Sequence, residues 1–355
     1  MMTNKDHNQN EAKNVVKILE GITPQTIPYD KLFSQNQPVI LKGLVKDWPL
    51  VKAGQESAQQ PSNIVMAQLE QHYNKRPLLV YKAPAENKAR FGYNESCTGF
   101  NFSSNRSTIT DVFDAIRSQL TQEEHDYFYI NSLRFDEGFP DLNQANTLQF
   151  DHSEFKNNQP VSKIWLGTES VAAAHFDQPK NIACCVAGKR RFTLFPPEQI
   201  NNLYPGPLSP TPGGQVVTLA DLSKPDFTHF PRLKEALDNA YIADLEPGDA
   251  LYYPSMWWHE VEAFDRFNVM VNYWWMEAEP YLGNPMDALM HAMKSVRDRP
   301  EKEKEAWKAL FDYYIFGDSE NVREHLPSES HGALADIDEN QARRLGAMLR
   351  NNLNR

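Results

Sequence analysis

The sequence predicts a mainly β protein with helices outside the core and a helical region at the C-terminal end, and three features carry that expectation. From about Asp126 to Tyr281, short runs of β-branched, aromatic and apolar residues are separated by turn signals. Beyond Gly283 the apolar residues recur at a helical period. Ahead of both, Met1 to about Ala12 is polar throughout.

Taken in order, that polar start contains no apolar run flanked by positive charge. Neither a signal peptide nor a membrane span is expected there; residues 1–12 are read as disordered, and a cytoplasmic location follows. Thr23 to Pro49 reads as extended, with Pro38-Val39-Ile40-Leu41 turning at Gly43 and closing on Asp47-Trp48-Pro49. Residues 54–62 form a polar break, and residues 84–108 are loop-like and rich in Asn, Ser and Gly. Val112 to Leu120 has an amphipathic helical pattern.

Strands are expected over Tyr127–Ile130, Lys163–Gly167, Ile182–Val186, Arg191–Phe195, Ala250–Tyr253 and Asn268–Trp275. A proline-rich insertion, Pro205 to Pro231, is expected to run over the outside of that core, and loops so long tend to be functional. After Gly283, Met286, Leu289, Met290 and Met293 share a helix face, as do Trp307, Leu310, Phe311, Tyr314 and Ile315. A third helix is expected over Glu339 to Asn351. Faces this apolar need covering, by the β core or by a second subunit.

Composition narrows the functional classes. The 355 residues are 41% hydrophobic and 11% aromatic, ordinary for a globular chain. A formal charge of −11 argues against general affinity for nucleic-acid backbone, which requires a basic footprint. Cys184 and Cys185 are adjacent, so on a strand they point to opposite faces and read as small buried hydrophobes rather than a disulfide.

The candidate chemistry lies in His175-Phe176-Asp177. Beside a strand, a period of two sends His175 and Asp177 to one side and Phe176 to the other. Alone, the pair is a weak signal that a surface or capping role would explain. Its context strengthens it: Glu246-Pro247-Gly248-Asp249 makes a turn, Ala250 to Pro254 a strand, and His259 follows Trp257-Trp258. Two imidazoles and one carboxylate on one face of an octahedral metal leave three positions open, the arrangement of non-haem Fe(II) oxygenases; zinc or manganese could take the same ligands.

These strings in this order resemble the JmjC/cupin-like hydroxylases, and most of all the branch containing the asparaginyl hydroxylase that inhibits the hypoxia-inducible factor. The matching residues are Pro38 to Gly43 with Asp47-Trp48-Pro49, Ala174 to Asp177, Gly188 to Pro197, Pro247 to Pro254, Trp257-Trp258-His259 and Val271 to Trp274, spanning about residues 25–280. The resemblance implies a double-stranded β-helix (jelly-roll) barrel over residues 13–282, with helices outside and a helical region, 283–355, that pairs two subunits into a homodimer. It also implies Fe(II) and 2-oxoglutarate as cofactor and co-substrate, with His175, Asp177 and His259 as metal ligands and catalytic centre.

For 2-oxoglutarate the resemblance points to Asn181 and Asn272 near the keto acid, and to Tyr129, with Tyr127 as alternative, near the distal carboxylate. Arg190 stands where the family has a lysine, and Ala172 where it has a threonine. Arginine can grip a carboxylate in two-pronged fashion, with Lys163 or Lys189 as substitutes. Trp257, Trp258, Trp274 and Trp275 read as core, Trp274 also as a cleft residue. The activity implied is hydroxylation of a protein side chain. A modified RNA base, a small molecule, or a non-catalytic metal-binding scaffold remain as alternatives, with the substrate choice resting on the loops at 84–108 and 205–231.

Overall fold

A computed structural model of the chain describes residues 14–55 and 61–354. The polar start at residues 1–12 lies outside the described residues, as do residues 56–60 of the expected polar break. The chain forms two compact units, Met1–Met276 and Glu277–Arg355.

Eight antiparallel strands make the heart of the first unit: β1 (Val161–Gly167), β2 (Ser170–Phe176), β3 (Lys180–Ala187), β4 (Arg190–Phe195), β5 (Tyr241–Leu245), β6 (Ala250–Tyr253), β7 (Trp258–Ala263) and β8 (Asn268–Trp275). One layer runs β6-β3-β8-β1 and the other β5-β4-β7-β2. Consecutive strands change layer at every step except β4 to β5, where the insertion intervenes. This is the double-stranded β-helix. Further strands widen both layers, notably Tyr127–Arg134 beside β1, and Arg90–Phe91 parallel to β2.

The alternation of side chains explains why β3 is apolar on both faces. Ile182, Cys184 and Val186 pack outward against helix residues such as Leu50, Val65 and Leu69. Ala183 and Cys185 face inward on Phe192, Leu194, Leu251 and Met270. The two thiols are free, fully buried and on opposite sides of one strand, as a period of two requires. A third cluster, including Phe176, Phe195, Leu203, Leu233 and Trp258, fills the far side of the other layer. Each such large side chain contributes about 1.5–3 kcal/mol on burial.

Asp249, at the turn before β6, ties the N-terminal segment to the barrel. Its carboxylate accepts from Lys42 Nζ at 2.8 Å, Gly43 N at 2.9 Å and Glu246 N at 3.0 Å. Val45 N also reaches the Gly248 carbonyl at 2.9 Å, and Gly248, at φ +104°, brings its Cα against Lys46 closely enough to leave little room for a side chain. Lys42-Gly43 and Pro247-Gly248-Asp249, more than 200 residues apart, are therefore halves of one contact.

Thr108 caps the helix Ile109–Gln119 by accepting from Asp111 N. Helices Pro49–Gln55 and Pro61–His72, which the sequence pattern did not announce, lie ahead of it, and helix Tyr29–Gln35 corrects the extended reading of Thr23 to Pro49, within which Val39–Leu41 is the strand. Pro49–Gln55 reaches into the expected polar break, and Pro61–His72 begins before that stretch ends. In the second unit the helices Pro285–Ser295, Glu301–Phe311 and Glu339–Leu353 carry the expected apolar faces. Within the second unit those faces stay uncovered: Met290 is 51% exposed, Leu310 44% and Leu349 48%.

The insertion departs from expectation. It does not simply cross the outside of the core: Val217 bridges to His175, Thr218 N donates to the Ala174 carbonyl at 2.8 Å, and part of the segment forms a wall of the cavity described next.

Candidate metal centre

β2 and β7 are antiparallel neighbours with His175 directly opposite His259 and Phe176 opposite Trp258. Phe176 and Trp258 turn to the outer face, where their rings meet edge-on at 5.0 Å. That packing commits the alternate residues to the inner face, and the two imidazole rings lie 4.4 Å apart there. Asp177 follows the end of β2, held by its own carbonyl, which accepts from Met256 N at 2.8 Å, while the Ser255 hydroxyl donates to the Gln178 carbonyl. The turn into β7 is thereby stapled to the turn out of β2.

One potential ligand atom from each of His175, Asp177 and His259 lies within 4.8 Å of the others, and His259 Nε2 is 3.7 Å from Asp177 Oδ2. Both histidines donate Nδ1–H to a carbonyl two residues earlier, His175 to Ala173 at 2.9 Å and His259 to Trp257 at 3.0 Å. A carbonyl only accepts, so Nδ1 of each ring carries a proton and Nε2 is the nitrogen left for the trio. Burial, with His175 beside it, holds His259 well below the usual imidazole range and so neutral. Burial pushes the Asp177 carboxyl up, and His175 draws it back. Two imidazoles whose Nε2 atoms are free of the backbone and a desolvated carboxylate at this spacing are suited to a divalent cation.

Behind the trio, Tyr253 packs its ring 4.7 Å from His259 and accepts from Asn181 Nδ2 at 2.5 Å; Asn181 Oδ1 is buried without a partner. Asn272 accepts from Trp165 Nε1 at 2.7 Å, one half of its amide being thus occupied. Arg190 is 3% exposed, and among the described residues its Nε has no partner and it forms no ion pair. Burial lowers its pKa from the ordinary guanidinium value, and Cys185 and Tyr129 act against that shift. A buried cation with no counter-anion is costly, which marks a place for an anionic ligand. Lys189, by contrast, is exposed and pairs with Glu246 at 3.1 Å. Lys163 Nζ sits over the Trp274 ring at 5.7 Å.

A cavity of about 250 Å³ adjoins His175 and Asp177. Tyr129, Ala172 and Trp274 line it; Tyr127 does not, and Asn181, Arg190, His259 and Asn272 stand outside the lining. Trp257, Trp258 and Trp275 belong to three separate core clusters. Both long loops reach the cavity, through Phe91 and Phe102 from one and Pro212, Gly213, Gln215 and Val217 from the other. Sequence reading missed Trp165, Asn131 and Ser132. The signal for Trp165 was the period of two from Lys163; for Asn131 and Ser132 there was none, since a bulge between Ile130 and Leu133, with Ser132 at φ +54°, reorients the strand locally.

With that geometry in hand, comparison with known proteins is informative. The Cupin-like domain family (Cupin_8) matches residues 24–280, most of the chain. The chain belongs to the cupin-like JmjC family. Its relatives include the lysine-specific demethylase JMJ31 of Arabidopsis thaliana, 30% identical over 34% of this chain and 22% of that protein. HSPB1-associated protein 1 of Bos taurus is 26% identical over 77% of this chain and 55% of its own length. The tRNA wybutosine-synthesizing protein 5 of Mus musculus is 27% identical over 75% of this chain and 79% of its own length. The first two relatives thus extend well beyond what this cupin-like JmjC chain spans. Membership places it in a family of iron- and 2-oxoglutarate-type oxygenases.

Proposed function

We propose that this chain is an Fe(II)- and 2-oxoglutarate-dependent hydroxylase acting on a protein side chain. The observation that carries the proposal is the meeting of two Nδ1-anchored histidines and a half-buried aspartate beside a cavity that His175 and Asp177 line, in a barrel that also holds a guanidinium without an ion pair among the described residues. His175, Asp177 and His259 would hold the metal. Arg190 would meet the distal carboxylate of the co-substrate, with the Tyr129 hydroxyl beside it, while Asn181 Oδ1 and the Asn272 amide stand near the keto acid. Iron(II) with 2-oxoglutarate and dioxygen would supply the oxidative decarboxylation that drives hydroxylation of an unactivated C–H bond. The chain's own work is to orient the C–H bond and keep water away; Trp165, Trp274 and Val217 in the cavity wall serve that end.

A second reading, oxidation of a modified RNA base, draws on the wybutosine-synthesizing relative, which matches along most of its length. The net charge of −11 and a cavity lining without Lys or Arg favour the protein substrate. Purified protein is expected to convert 2-oxoglutarate to succinate only when Fe(II) is supplied. Tight metal binding with no succinate formed would instead establish a metal-binding scaffold.

We also propose a homodimer built on the second unit, in which a second copy covers the exposed Met290, Leu310 and Leu349 faces. Light scattering is expected to give twice the 40.8 kDa chain mass, and Leu349→Glu to give the monomer; a monomeric wild type ends this proposal. Among the described residues no helix is long and apolar enough to cross a membrane.

A further inference from the structure

Six aromatic side chains line the cavity beside the ligand trio, and they form one connected surface. Trp274 lies 6.0 Å from Trp165, Trp165 6.1 Å from Tyr129, Tyr129 5.5 Å from Phe91, Phe91 5.6 Å from Phe102, and Phe102 4.7 Å from Tyr81, centroid to centroid. Those spacings are the ones at which π systems attract edge-on or offset, so a further ring entering the cavity meets partners throughout.

Charge narrows what can enter. The lining contains no Lys or Arg to receive a phosphate, and its single carboxylate, Asp177, belongs to the ligand trio. A cationic side chain would find no free acidic partner there and would approach Lys163, which lies over Trp274. Neutral guests are favoured on both counts.

Size narrows it further. At about 250 Å³ the cavity falls below the roughly 300–1,000 Å³ usual for small-molecule sites. A single ring beside a small co-substrate is commensurate with it. Asn131, Ser132 and Gln215 give the wall a few hydrogen-bonding groups, and Trp274 Nε1 is a buried donor without an acceptor. A peptide carbonyl is a fitting acceptor for it.

Resting on the hydroxylase reading, we propose that the group admitted to this centre is a neutral aromatic side chain of a polypeptide, in place of the asparagine that the resemblance suggests. The rings of Phe91 and Phe102 from one loop and Trp165 and Trp274 from the barrel select it, and the insertion closes the remaining side through Gln215 and Val217.

The test uses the full chain loaded with manganese(II) and 2-oxoglutarate without oxygen, and reads binding of N-acetyl amino-acid amides by ligand-observed NMR. The phenylalanine, tyrosine or tryptophan derivative is expected to bind about tenfold tighter than the asparagine, lysine and aspartate derivatives or uridine monophosphate. Phe102→Ala and the bulk-preserving Phe102→Leu are both expected to reduce that margin several-fold while manganese affinity holds. Equal or absent binding of all probes, or a preference for the amide, a charged derivative or the nucleotide, overturns the proposal. Manganese affinity and Fe(II)-dependent succinate formation, measured on the same preparation, report separately on the hydroxylase reading.

Discussion

Replacing His175 with alanine is expected to leave a folded protein that no longer retains iron and forms no succinate. The backbone of His175 pairs with Val217 and with His259 on β7, and those contacts do not require the imidazole. Apo stability should therefore change by no more than about 1 kcal/mol. Metal binding loses one of three protein ligands, which should exceed the roughly 10–100-fold loss that follows removal of a group merely supporting a ligand. Thermal unfolding gives a reading independent of turnover: at a metal concentration of 100 times Kd the wild type should gain about 2.7 kcal/mol, and the variant nothing at that concentration. Retention of stoichiometric iron by the variant would show that the metal sits elsewhere.

Arg190→Met should move two observables in opposite directions. Its guanidinium is buried without an ion pair, so an apolar side chain of similar length removes a desolvation cost and should leave the apo protein as stable or more stable, by about 1–4 kcal/mol. The same change would leave the distal carboxylate of 2-oxoglutarate facing no charge. A truncated buried charge pair costs about 2–5 kcal/mol, so affinity for the co-substrate should fall about 30-fold or more. Calorimetric titration of the metal-loaded variant against wild type, with denaturant unfolding of both, measures the pair of effects. A large loss of stability with unchanged affinity would make Arg190 a structural residue. Arg190→Lys, which restores the charge, should recover part of the affinity and none of the extra stability.

Much of the architecture was readable because a β barrel packed on both sides writes itself as dense apolar runs. Five of the expected strands coincide with β1, β3, β4, β6 and β8 within a few residues, and Tyr127–Ile130 begins the longer strand Tyr127–Arg134. The trio was readable for a local reason: Phe176 packs outward on Trp258, so its neighbours must turn in. Helix Pro61–His72 was not, because three of its apolar residues are consecutive, Ile64, Val65 and Met66, which blurs the helical period, and both of its ends are rich in polar residues. Its conformation is set by what Val65, Met66 and Leu69 bury against, which is tertiary information. The second unit showed its helical period plainly, but periodicity says nothing of what covers the apolar face. Nor could any local pattern reveal that Asp249 and Gly43 are partners, or that the proline-rich insertion would reach the metal ligands.

That last contact has a consequence for how such a protein can change. Gly206 leaves no room for a side chain against the Tyr93 ring, whose hydroxyl donates to the Pro207 carbonyl at 3.0 Å, and eleven residues further along Val217 bridges to His175. The segment that borders the guest's entrance is thus fastened at one point to the other selectivity loop and at another to a ligand-bearing residue. Exchange of this stretch for that of a relative would disturb the cation as well as the clientele, so new preferences are more accessible through single replacements at Phe91, Phe102 or Gln215 than through wholesale loop swaps.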